Sequence, residues 1–99
     1  MEALKDQLRT LANETFPAVA RRDKYPIVFN HCFLRVVYDN LFGQKWQEVL
    51  NPKKPAIHQL SETQLRRAIA LGNEIIADRQ TCEILNRRSL EWRGKAPTT

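Results

Sequence analysis

Ninety-nine residues, 42% of them hydrophobic and 27% charged, suit one domain that buries roughly two-thirds of its unfolded surface, and they exclude a disordered chain. A net charge of +5 and a pI near 9.6 make nucleic acid or an acidic protein surface an electrostatically sensible partner. Two cysteines, Cys32 and Cys82, each at an apolar-face position of a predicted helix, read as reduced core residues, and with His31 and His58 they show none of the closely spaced ligand pairs of a zinc site.

The opening segment MEALKDQLRT has neither the apolar core nor the small-residue cleavage site of a secretory signal, and no apolar run reaches membrane-spanning length. The chain therefore reads as cytoplasmic, with both cysteines reduced and no membrane contact. From Glu2 to about Thr15, Leu4, Leu8, Leu11 and Ala12 follow a helical stripe. Pro17 cannot donate an interior hydrogen bond, so this helix must kink there or restart with Pro17 in a first turn, ending by Arg22.

A charged connector, Arg21 to Tyr25, leads to the most apolar stretch of the chain, PIVFNHCFLRVVYDNLF from Pro26 to Phe42. Read at helical period it is apolar on nearly every side, the pattern of a central helix wrapped by others. Phe29, Phe33, Val36 and Val37 are expected in the core against Leu8, Leu11, Leu65, Ile69, Ile76 and Leu85. His31, Arg35 and Asp39 recur at i, i+4 and i+8 and form one narrow polar strip, with Arg35 and Asp39 expected to pair. Gly43 is placed to stop this helix in a left-handed cap.

Trp46, Val49 and Leu50 predict a short helix within Gln44 to Leu50. Two prolines and two lysines between Asn51 and His58 predict a surface loop. Ser61 with Gln64 three residues on is a capping box, and Leu60 with Leu65 is a hydrophobic staple, so a helix starts at Ser61 and runs to about Ala77. In it Leu65, Ile69, Gly72 and Ile76 point inward, and small Ala68 and Gly72 allow another helix to come close. Asp78 caps a last helix, Arg79 to Arg93, with Cys82, Leu85, Ser89 and Trp92 along one side. Gly94 and Pro97 end it, leaving a frayed tail over 95–99 beyond a single domain of residues 1–94. The fold class is all-α: a compact bundle of four main helices plus one short helix.

Candidate chemistry is sparse. The His31, Arg35, Asp39 strip combines a group that can exchange a proton, one that can hold a carboxylate or phosphate, and one that can orient either. The doublets Arg66-Arg67 and Arg87-Arg88 would bind phosphates non-specifically if the last two helices set them on one face. A helix-turn-helix within Gln64 to Thr81 would place Gly72 in its turn, but the apolar pattern runs on through Ile75 and Ile76.

The segments KYPIVFNHCFLRVVYDNLFGQKW (24–46), AIHQLSETQLRRAIALGNEII (56–76) and LNRRSLEWRGK (85–95) resemble a group of small uncharacterised bacterial proteins of a kind met in cyanobacteria. Some of those carry an acetyltransferase label. That label implies a mixed α/β core and a glycine-bearing pyrophosphate loop, and the resemblance brings no catalytic residue to any position here. The reading of the residues is a small basic binding module with no cofactor or metal, contacting nucleic acid or an acidic protein. Its alternatives are a self-associating, homodimeric interaction domain and a small enzyme using His31, Arg35 and Asp39.

Overall fold

The computed structural model describes residues 1–95. Of the expected tail only Lys95 is among them. The chain is all-helical, with no strand among the described residues, and measures 37 × 29 × 20 Å. Five α-helical segments, α1 (Glu2–Thr10), α2 (Phe16–Arg22), α3 (Asn30–Phe42), α4 (Glu62–Ala77) and α5 (Arg79–Trp92), are joined by a π-helical turn (Leu11–Thr15) and two 3-10 turns (Trp46–Glu48 and Ala56–Gln59). No helix among the described residues is long and apolar enough to cross a membrane.

α1, the π turn and α2 form one continuous helix, because Thr10, Leu11, Thr15 and Phe16 all keep right-handed helical dihedrals. Pro17 is accommodated by widening the preceding turn, where the longer ladder absorbs the missing N–H. The widening also aligns the buried side. Leu8, Ala12, Phe16 and Ala20 are all fully buried at a strict spacing of four. At about 100° per residue a regular helix would turn Ala20 about 120° away from Leu8, whereas one extra residue in a wide turn brings the two back to within about 20°.

The connector ends α2 in a left-handed cap: Lys24 has φ of 56°, and the Tyr25 N–H donates to the Ala20 carbonyl at 2.9 Å. Residues 26–29 are not helical, and α3 begins at Asn30 behind an extended Phe29. This corrects the expected start at Pro26. Ile27 and Val28 pack half-buried on the core while Phe29 is 59% exposed, so Phe29 is not a core residue. An apolar run has the same composition whether it is extended or helical, and here the extended form lets Tyr25 donate to the Ile76 carbonyl at 2.7 Å.

Phe33, Val36 and Val37 are buried as expected. They meet α4, which packs on α1 and α3, and α5, which packs on α3 and α4. Both halves of the Ser61–Gln64 capping box form, at 3.2 and 2.8 Å, and Leu60 and Leu65 are buried. α4 runs straight to Ala77, so no helix-turn-helix interrupts it at Gly72. Gly72 instead faces α3: a Cβ there would lie 2.9 Å from Phe33 Cζ and 3.4 Å from Leu11 Cδ1. On this helix Ile75 is fully buried and Ile76 only half-buried, the reverse of the expected emphasis. Asp78 caps α5 by accepting the Gln80 N–H at 3.2 Å. Cys82, Leu85 and Ser89 face inward, but Trp92 stays 38% exposed at the last turn. Both cysteines are free; Cys82 is buried and Cys32 half-buried.

Candidate anion-binding cleft

Asp39, near the C-terminal end of α3, is fully buried and accepts four hydrogen bonds. Arg93 grips it with two, Nε to Oδ2 at 2.7 Å and Nη2 to Oδ1 at 3.0 Å. Ser89 Oγ donates to Oδ2 at 2.7 Å and the Trp46 backbone N–H to Oδ1 at 2.9 Å. Four donors thus satisfy both oxygens of the buried carboxylate. It has no free face with which to act as an acid or base on a substrate.

The expected Arg35–Asp39 pair does not form. Arg35 reaches across to α5 and donates to Ser89 Oγ at 2.9 Å and Asn86 Oδ1 at 2.7 Å. Ser89 thus stands between the two, taking a hydrogen bond from Arg35 and giving one to Asp39. Arg93 takes the position at Asp39 because the end of α5 closes over that end of α3, one turn beyond Ser89. Arg93 Nη2 also donates to Gln47 Oε1 at 2.9 Å, and Asn40 Nδ2 bridges the Val36 and Leu85 carbonyls. Two guanidiniums meet one carboxylate in this network, so it carries one positive charge in excess.

That excess faces a cleft of about 800 Å³. Its walls include Arg9, Arg35, Arg93, Lys53, Lys54 and His31, with Leu34, Tyr38, Trp46 and Ile57 as apolar surface, and no Asp or Glu side chain among the described residues lines it. Arg9 is shared with Asp6 at 3.0 Å and Arg93 with Asp39. Arg35, Lys53 and Lys54 have no carboxylate partner among the described residues. The Tyr38 ring meets Trp46 edge-on at 6.1 Å. Burial pushes its hydroxyl up to about 12, so it stays protonated and able to donate near neutrality.

The lysines are held in place despite lying in a proline-rich loop. Gln59, in the second 3-10 turn, accepts the Asn51 N–H at 2.9 Å and donates through Nε2 to the Asn51 and Lys54 carbonyls at 2.9 and 3.2 Å. Asn51 Oδ1 accepts the Lys53 N–H at 2.9 Å. One side chain thereby closes the loop from which Lys53 and Lys54 line the cleft.

Of the residues singled out in the sequence, His31 and Arg35 line the cleft, while Asp39 lies behind it as the anchor of the network. Arg66, Arg67, Arg87 and Arg88 are all exposed on α4 and α5. Arg66 pairs with Glu62 of its own helix at 3.6 Å, and neighbours on a helix point about 100° apart. No side-chain hydrogen bond among the described residues joins one doublet to the other. Arg9, Arg93, Lys53 and Lys54 were not among the site residues read from the sequence; of these only the Lys53-Lys54 doublet has a local mark, because the others converge from elements far apart in the chain. No group of three or more His, Cys, Asp or Glu among the described residues could hold a metal ion. Comparison with family models, curated proteins and solved structures finds no match to this chain.

Proposed function

We propose that the protein is a binding module for nucleic acid and that the cleft between α1, α3, the proline-rich loop and the end of α5 is its phosphate-contacting surface. The observation that carries this reading is the lining itself: several cations, three of them without a carboxylate partner among the described residues, and no acidic side chain among those residues to repel a phosphate. Arg35 is half-buried and, among the described residues, held only by the neutral acceptors Ser89 and Asn86. An anion entering the cleft would supply the missing countercharge in a place where water screens it weakly. Two free cysteines fit a reducing, cytoplasmic setting.

Titration of labelled single- and double-stranded DNA and RNA at low and moderate salt tests the proposal. Affinity is expected to fall steeply with salt, because each neutralised phosphate releases counterions. Lys53→Ala with Lys54→Ala is expected to weaken binding more than Arg66→Ala, Arg67→Ala, Arg87→Ala and Arg88→Ala together. The opposite ranking would move the surface to α4 and α5. No binding of any nucleic acid at low salt, with a measured mass of a stable dimer, would replace this reading by self-association.

A further inference from the structure

Charge does not account for the residues that open α3 beside the cleft. Phe29 leaves a large apolar ring 59% exposed just before α3. That ring lies nearly parallel to the imidazole of His31, with centroids 5.7 Å and planes 8° apart. His31 is itself exposed and lines the cleft with Arg35, Lys53 and Lys54. The pair stands on a fixed base: Asn30 Nδ2 donates to Asn13 Oδ1 in the π turn at 2.7 Å, and Asn30 Oδ1 accepts the His31 N–H at 2.8 Å.

Resting on the nucleic-acid reading above, we propose that Phe29 and His31 form a stacking platform for the bases of a single strand whose phosphates run into the cleft toward Lys53, Lys54 and Arg35. Two parallel rings beside cations that have no carboxylate partner among the described residues supply the two parts such a site needs: flat π surface for bases and positive charge for the backbone. A duplex can use neither part well. Its bases already stack on one another, and its stiff convex surface does not enter a cleft to reach the half-buried Arg35. A single strand can turn a base out onto the platform and follow the cleft with its backbone.

The test is a fluorescence titration of a short labelled single strand and of the duplex of the same sequence against the full chain. The single strand is expected to bind more tightly. Phe29→Ala with His31→Ala should weaken it on the order of tenfold while leaving the slope of log affinity against log salt unchanged. Lys53→Ala with Lys54→Ala should instead lower that slope by about 1.4, the share of two phosphate contacts on a single strand. Phe29→Tyr, which keeps a ring, should retain binding. Equal affinity for duplex and single strand, or binding untouched by loss of both rings, would overturn the platform and leave the basic-cleft reading standing. Absence of binding to both at low salt would overturn the two together. All the altered side chains are exposed, and an unchanged circular dichroism spectrum confirms that each variant is folded.

Discussion

Without Arg93, the Asp39 carboxylate would remain inside the protein with Ser89 and the Trp46 N–H as donors and no cation in direct contact, Arg35 reaching it only through Ser89. Breaking a buried pair from one side costs about 3–5 kcal/mol, much more than losing a pair at the surface. Arg93→Ala is therefore expected to lower unfolding stability by about that amount in a denaturant titration. A loss of under about 1 kcal/mol would mean that water reaches Asp39 and that the pair behaves as an exposed one. The strip His31, Arg35, Asp39 was legible as residues sharing one side of a helix, since that follows from spacing alone. Which of them pair was not. The partner of Asp39 lies 54 positions along the chain, and an arginine just past the last helix has no local mark that sets it apart from the other basic residues.

Among the elements, α4 was the most legible because both of its local devices, the Ser61–Gln64 box and the Leu60–Leu65 staple, lie within a few residues of one another. α3 was legible in its core face and its Gly43 end but not in its start, because Ile27, Val28 and Phe29 read equally well as extended chain. The π turn was not legible as such, although the four-residue spacing of Leu8, Ala12, Phe16 and Ala20 was its signature. The contact between α3 and α4 supplies the test at this scale. Gly72→Ala would gain about 1 kcal/mol of helix propensity, but its new methyl would sit 2.9 Å from the Phe33 ring tip. That ring is fully buried and stands 4.6 Å, centroid to centroid, from Phe16, so it has little room to retreat. Overpacking typically costs about 1–3 kcal/mol, and Gly72→Ala is expected to be destabilising overall, with part of the loss recovered by adding Phe33→Leu. A midpoint equal to or above that of the parent would show that the ring yields freely.

Taken as a whole, the chain has an excess of positive charge that was plain from its composition, but the place where that charge gathers was not. The cleft draws on α1, α3, a loop and the end of α5, and its lack of acidic lining arises only when those parts meet. The same meeting governs how the molecule comes apart. Asp39 can be enclosed favourably only when α5 has docked and brought Ser89 and Arg93 with it. A compact form holding α1 to α4 alone would seal an unpaired carboxylate or leave it wet and the core open, and either is costly. Partly folded states are thereby penalised, and unfolding becomes an all-or-none event rather than a peeling of the last helix. A fragment of residues 1–78 should accordingly show little helix and no cooperative melt, whereas a sharp transition in that fragment would mean that α5 is an appendage to an already complete fold. In this protein the buried charge acts as a latch on cooperativity: the last helix is the condition for the others to stay folded.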